Sequence, residues 1–225
     1  MWWSRARLLE SHDLFRTGIG MTPEFLARAD ELMAAGRFLF ERGWVPATSG
    51  NFSARLSDGR LALTVSGRHK GRLTLEDVLL ADPEGRSLDD RRPSAETALH
   101  VQIYRRFPEA GCVLHPHTVN ATLLSRLHRE PLRLQDYELL KAFPGVATHD
   151  CTVTVPIFPN DQDVGRLAGR VDEWMHRHSE PLHGYLIGGH GFYTWGRTVE
   201  DALRHVEAFE FLFECEVRLC GAEPP

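Results

Sequence analysis

Short apolar runs alternate with longer amphipathic stretches along this chain of 225 residues. The alternation predicts strands and helices in turn. Thr22-Pro23-Glu24 opens a helix with a capping hydroxyl, a first-turn proline and an acid near the positive end. Residues 25–40 continue it, and Gly43 ends it. Residues 51–56 and 60–65 predict two strands joined by the turn Ser57-Asp58-Gly59. A short helix is expected over 74–79, and a longer one capped by Ser94 and running to about Arg106. Gly111-Cys112-Val113-Leu114 predicts a buried strand running into a loop, and a helix follows from about Thr118 to Leu127.

Residues 135–143 predict a short helix stopped by Pro144-Gly145. The β-branched run 152–155 predicts a strand, and Asp161 starts a helix reaching about Arg177. A strand over 185–187 leads into Gly188-Gly189-His190-Gly191, and a hairpin-like segment, 192–195, comes next. Thr198, with Asp201 three residues on, opens a last helix to about Leu219. The order predicts an α/β or α+β protein with a central mixed sheet.

Composition narrows the class without naming a function. Apolar residues make up 42% and charged residues 25%, as in ordinary globular chains. The length suits one large domain, expected over 21–225, after a lead-in of residues 1–20. That lead-in, beginning Met1-Trp2-Trp3-Ser4-Arg5, lacks the apolar run of a signal peptide. A net charge of −5 without a Lys/Arg run argues against a general nucleic-acid binder. No apolar stretch reaches the roughly 20 residues that span a bilayer. Cys112, Cys151, Cys215 and Cys220 form no CxxC pair, so free thiols in a reducing cytoplasm are expected.

The chemistry concentrates in a few places. His115-Pro116-His117 sets two imidazoles on one side of an extended backbone, because strand side chains alternate faces and proline favours extension before it. Such a pair suits a divalent metal of the zinc type, and equally an ordinary surface or core pair. His190, between glycines at the end of an apolar strand, is the best third ligand. His176, His178 and His183 flank a polar turn and are expected in solvent, and His205 is expected to be structural. His100 falls on the 94–106 helix, where it reads as a packed core residue.

Thr48-Ser49-Gly50-Asn51, Ser66-Gly67 with Lys70 nearby, and Ser94 are three places where backbone N–H groups and hydroxyls could hold an anion. Most Ser-Gly pairs are simply turns. Three in one chain beside a metal candidate point to a phosphorylated small molecule. Glu96 and Glu138 are the two notable carboxylates, and composition does not choose between catalytic and structural roles for either.

The order Ser-Gly-Asn, Ser-Gly, Pro-Ser-Ala-Glu, His-Pro-His, Gly-His-Gly resembles the class II aldolase and adducin-head superfamily over about residues 24–219. Within it, four stretches are similar to the methylthioribulose 1-phosphate dehydratases of methionine salvage: 137–143, 155–163, 189–196 and 204–213. The resemblance implies a three-layer αβα fold with a central, mainly antiparallel mixed sheet. It implies a zinc ion, one per subunit, held by His115, His117 and His190, and phosphate near Ser49, Gly50, Asn51, Ser66, Gly67 and Ser94. It also implies homotetramers with sites near subunit interfaces.

The implied reaction is loss of water from 5-methylthioribulose 1-phosphate, with zinc as Lewis acid. The glutamate matching Glu138 is the acid/base in dehydratases, and the one matching Glu96 in aldolases. A sugar-phosphate aldolase or epimerase is the alternative. A non-catalytic adducin-like binding module is a second, disfavoured by the intact histidines. Three positions depart from the family pattern: Pro116, Gly188-Gly189 and Ala95.

Overall fold

The computed structural model describes residues 21–221, so the expected lead-in of residues 1–20 lies outside the described residues. Helix α1 (Pro23–Glu41) starts where its signals say, with the Thr22 hydroxyl accepting the Phe25 N–H at 3.1 Å. Strands β1 (Asn51–Arg55) and β2 (Leu61–Thr64) form the predicted hairpin, with Ser53 opposite Leu63.

The helix expected over 74–79 is a correction. Thr74 and Asp77 form a capping box, but it supports only one 3-10 turn, Leu75–Asp77. The chain then extends as β3 (Val78–Ala81), whose four buried apolar residues pair with β2. A local cap cannot compete with a full ladder of sheet hydrogen bonds plus burial.

A second correction concerns Ser94. Helix α2 (Thr97–Arg106) begins three residues later, with Glu96 at its N-cap position. The Ser94 hydroxyl accepts the Glu96 N–H at 3.3 Å, and the Ser94 carbonyl accepts the Thr97 N–H at 3.1 Å. Ser94 therefore shapes the turn into the helix.

Next come β4 (Cys112–His115) and α3 (Val119–Leu127), the latter capped by Thr118. The helix expected over 135–143 is one 3-10 segment, Glu138–Ala142, preceded by strand β5 (Leu132–Gln135). Strand β6 (Thr152–Val155) pairs antiparallel with β5 apart from the main sheet. The chain continues through β7 (Ile157–Phe158), α4 (Val164–Arg177), β8 (Gly184–Ile187), β9 (Phe192–Gly196) and α5 (Val199–Cys220).

The main sheet runs β3-β2-β1-β4-β9-β8-β7, and every pair is antiparallel except β7 with β8. Its two faces carry separate cores. Phe52, Ala54, Cys112, Leu114, Leu186 and Phe192 pack with α1, α3 and α5. Val113, Tyr185, Ile187, Tyr193 and Trp195 pack with α2 and α4 on the other face. Neighbouring residues on one strand thus enter opposite cores, which is the period-2 rule applied to a sheet buried on both sides. The result is the expected three-layer αβα arrangement with a mainly antiparallel mixed sheet.

Candidate active site

Strands β4, β1 and β9 bring one end of the sheet together. His115 closes β4 directly opposite Asn51, the first residue of β1. His117 follows two residues beyond, its backbone N–H donating to the Trp44 carbonyl at 2.9 Å. His190 lies in the turn between β8 and β9. Glu96 arrives from the start of α2. Glu96, His115, His117 and His190 place one ligand atom each within 4.8 Å of one another.

The local chain makes this approach possible. Gly191 packs so close that an added Cβ would lie 2.3 Å from the Pro116 carbonyl oxygen and 3.2 Å from the His115 ring. Gly50 has φ of +77°, and a Cβ there would stand 2.7 Å from the His115 carbonyl. Both glycines let two loops close on the histidine strand.

The tautomer of His115 follows from its partner. Its Nδ1 donates to the Phe192 carbonyl at 2.8 Å, so Nε2 keeps a lone pair. That atom meets His117 Nε2 at 2.9 Å and Glu96 Oε2 at 3.4 Å, while Glu96 Oε1 stands 3.4 Å from His190 Nε2. Tyr193 stacks on the His115 ring at 4.0 Å and holds its plane. Burial pushes His115 well below its usual pKa. Burial, then the neighbouring His115 and His190, pushes His117 to about 2. Both imidazoles are therefore neutral and offer lone pairs. Two lone pairs 2.9 Å apart repel unless a proton or cation lies between them. Three imidazoles with an adjacent carboxylate fit a divalent metal.

The sequence-predicted anion elements converge next to this group. Ser49, Gly50, Asn51, Ser66, Gly67 and Ser94 all line one cavity of about 190 Å³, together with Glu96 and His117. Ser49 Oγ is buried there without a protein partner. Lys70, fully buried, ties two of these loops: its Nζ donates to the carbonyls of Thr48 at 3.2 Å and Arg68 at 2.6 Å. Burial lowers its pKa to about 8, against the opposing charge of Asp77.

Glu138 is not brought into the group within its own chain. Its side chain is 73% exposed and pairs with Lys141 at 2.5 Å and His149 at 3.7 Å. The Lys141 hydrogen bond holds its carboxyl below the usual range. His176 and His178 are exposed as expected. His183 is a correction: it is buried, stacked on Phe143 at 5.0 Å, and burial lowers its pKa to about 4. Aromatic stacking beneath β8 outweighs the polarity of the preceding turn. His205 is structural as expected, its Nδ1 bonded to the Trp195 carbonyl at 2.7 Å.

A sheet with helices on both faces and a three-histidine, one-carboxylate group at the end of its central strands defines a class. The sequence profile of the class II aldolase and adducin N-terminal domain matches residues 30–217, and the chain belongs to that family. Within the family it falls among the methylthioribulose-1-phosphate dehydratases. It is 62% identical over 200 residues to the methylthioribulose-1-phosphate dehydratase of Methylococcus capsulatus, covering 89% of this chain and 98% of that protein. It is 60% identical over 191 residues to that of Pseudomonas aeruginosa strain PAO1, covering 84% and 93%.

Among solved structures, L-fuculose-1-phosphate aldolase from Thermus thermophilus superposes with a TM-score of 0.69 at 29% identity, covering 88% of this chain and 99% of that one. YgbL of Escherichia coli shares the fold, with a TM-score of 0.76 at 23% identity over 91% of this chain and 93% of that one. No helix among the described residues is long and apolar enough to cross a membrane.

Proposed function

We propose that this chain is a hydro-lyase of methionine salvage. It would convert 5-methylthioribulose 1-phosphate to 2,3-diketo-5-methylthiopentyl 1-phosphate with loss of water. The observation that carries the reading is one cavity, lined by all six anion-binding candidates, that borders directly on His117 and Glu96. The identity to named dehydratases along nearly their whole length supports it.

The donor set suits zinc, one ion per subunit, held by His115, His117 and His190. When bound, such an ion supplies Lewis acidity to substrate oxygens. The chain's own groups do the rest. Ser49, Ser66 and Ser94 offer hydroxyls, and the Gly50 and Gly67 turns offer backbone N–H groups, to the phosphate. Asn51 lies between that end and the histidines.

Dehydration needs a proton removed from C3 and the C4 hydroxyl expelled, which leaves an enol that tautomerises to the diketone. Glu138 is the acid/base of this reading, accepting the C3 proton and assisting departure of the C4 hydroxyl. Its exposure within one chain agrees with a homotetramer whose sites lie near subunit interfaces. Leu139 beside it is also exposed, as are Val119, Leu123 and Leu127, one stripe of α3 that starts two residues after His117. A cytoplasmic location belongs to the same reading, with Cys112, Cys151, Cys215 and Cys220 as free thiols.

A specific observation favours one alternative. Glu96 sits within the histidine group, where an aldolase-type acid/base would work. Product analysis of purified enzyme with 5-methylthioribulose 1-phosphate decides: diketone phosphate supports the dehydratase, and carbon–carbon cleavage supports the aldolase. No turnover with zinc bound would support the binding module.

A further inference from the structure

Behind Glu96 runs a buried chain of polar side chains that starts at Asn51 and continues through residues the proposed reaction does not use. Asn51 Nδ2 donates to Glu96 Oε2 at 2.6 Å. The other end of the same amide, Oδ1, is bonded to His100 Nε2. His100 Nδ1 meets Ser53 Oγ at 2.7 Å, and Ser53 Oγ meets the Tyr104 hydroxyl at 2.8 Å. Asn51, Ser53, His100 and Tyr104 are all buried, and they come from two elements only, β1 and α2.

The direction of every bond in this chain is forced from one end. An ionised carboxylate only accepts, so the amide must present its NH2 to Glu96. Its oxygen then faces His100 and needs a proton on Nε2. A neutral imidazole with hydrogen on Nε2 has a lone pair on Nδ1, which takes the Ser53 hydroxyl proton. The Ser53 oxygen is left to accept from Tyr104. The polarity is consistent from Tyr104 to the histidine group. Without the His100 donor, the Asn51 oxygen would be buried and unpaired, and the amide would lose the partner that fixes its plane. An amide no longer fixed at its oxygen end holds the Glu96 carboxylate less firmly against His115 and His190.

We propose that His100, with Ser53 and Tyr104 behind it, is a positioning residue that fixes the Asn51 amide and through it the Glu96 carboxylate at the metal-binding group. Position explains the pattern: β1 and α2 contribute Asn51 and Glu96 at their site ends and Ser53, His100 and Tyr104 deeper in the layer. The two elements that carry the site residues are thereby locked in register. This inference rests on the metal-dependent reading of the site, but not on the identity of the substrate.

The test compares His100→Leu, His100→Gln and Ser53→Ala with wild type. Zinc affinity is measured by competition with a chromogenic chelator, alongside kcat, KM and thermal stability. Loss of an outer hydrogen bond to a ligand set typically costs about 10–100-fold in metal affinity or activity. For His100→Leu we expect a loss of that size in zinc affinity and in kcat, with KM within about threefold of wild type. His100→Gln, whose amide can still donate to Asn51, should recover most of both while its melting temperature stays lowered. Ser53→Ala, which removes one hydroxyl from a strand and leaves the fold intact, should show a smaller loss in the same direction. Zinc affinity and kcat unchanged in both His100→Leu and Ser53→Ala would overturn the proposal. So would a His100→Gln enzyme no better than His100→Leu despite a similar melting temperature. A wild-type protein that binds zinc but leaves 5-methylthioribulose 1-phosphate untouched refutes the dehydratase reading alone, and the affinity measurements still judge the network.

Discussion

Glu138 and Glu96 present the two environments between which a catalytic carboxylate must choose. Glu96 is held by Asn51 and two histidines, at a point where it can order a metal or its water. Glu138 is free of the group and rests against Lys141, a contact between exposed side chains that is worth little energetically and is easily exchanged. A general acid/base contributes about 10²–10⁴-fold to rate. Glu138→Gln is expected to lower kcat by about that factor while KM and zinc content hold, because glutamine keeps the shape but cannot accept or return a proton. Glu96→Gln is expected to cost less in kcat and more in zinc affinity. Steady-state kinetics with zinc analysis on both variants checks this. A Glu138→Gln enzyme near full speed beside a dead Glu96→Gln would reverse the roles.

At the scale of elements, the site depends on close approach of loops to β4. The Gly50 turn is the clearest case, since it combines a left-handed backbone with a carbonyl only 2.7 Å from a would-be Cβ. Left-handed backbone costs roughly 1–2 kcal/mol for a residue with a side chain, before any clash is counted. Gly50→Ala is therefore expected to lose about 2 kcal/mol or more of unfolding free energy in urea titration, and to weaken zinc binding by displacing His115. The exposed stripe Val119, Leu123 and Leu127 belongs to this scale too. Four-residue spacing keeps the three on one side of α3, opposite the buried Ala121 and Leu124 side. A V119E/L127E double variant should break the proposed homotetramer in size-exclusion chromatography with light scattering, and should lose activity in step. An assembly that survives both charges would place the proposed subunit contact elsewhere.

The whole molecule responds to pH through its buried histidines. His183 has a folded-state pKa near 4, lowered from an ordinary 6.5 by burial. Between those values the unfolded chain binds more protons than the folded one, so stability is present above pH 6.5 and is lost as pH falls toward 4. His183→Phe keeps a ring against Phe143 and removes this titration. Urea unfolding at pH 7 and 4.5 should show the variant gaining about 2 kcal/mol on wild type between the two conditions. A gap that does not change with pH would mean that His183 is protonated in the folded state.

Much of this protein was legible residue by residue. The helix starts at Thr22, Thr118 and Thr198, the hairpin over β1 and β2, and the alternation of runs are local features, fixed by hydrogen bonds and sterics within a few residues. The ordered motifs around Ser49, Ser66, Ser94, His115 and His190 pointed to residues that the fold brings together in one candidate site. What the sequence did not carry is distance. Leu75–Asp77 stayed a single turn because β3 took up the chain after it, and Glu138–Ala142 stayed a short 3-10 segment after β5 claimed Gln135; pairing with a distant strand has no local signal. His183 entered the core because β8 and Phe143 meet there. Ser53 and Tyr104 gave no sign of joining His100, since only the packing of α2 against β1 puts residues 51 positions apart within 2.8 Å. Local sequence determined which groups were available. The tertiary structure decided which of them met, because burial and long-range pairing are properties of the assembled layers.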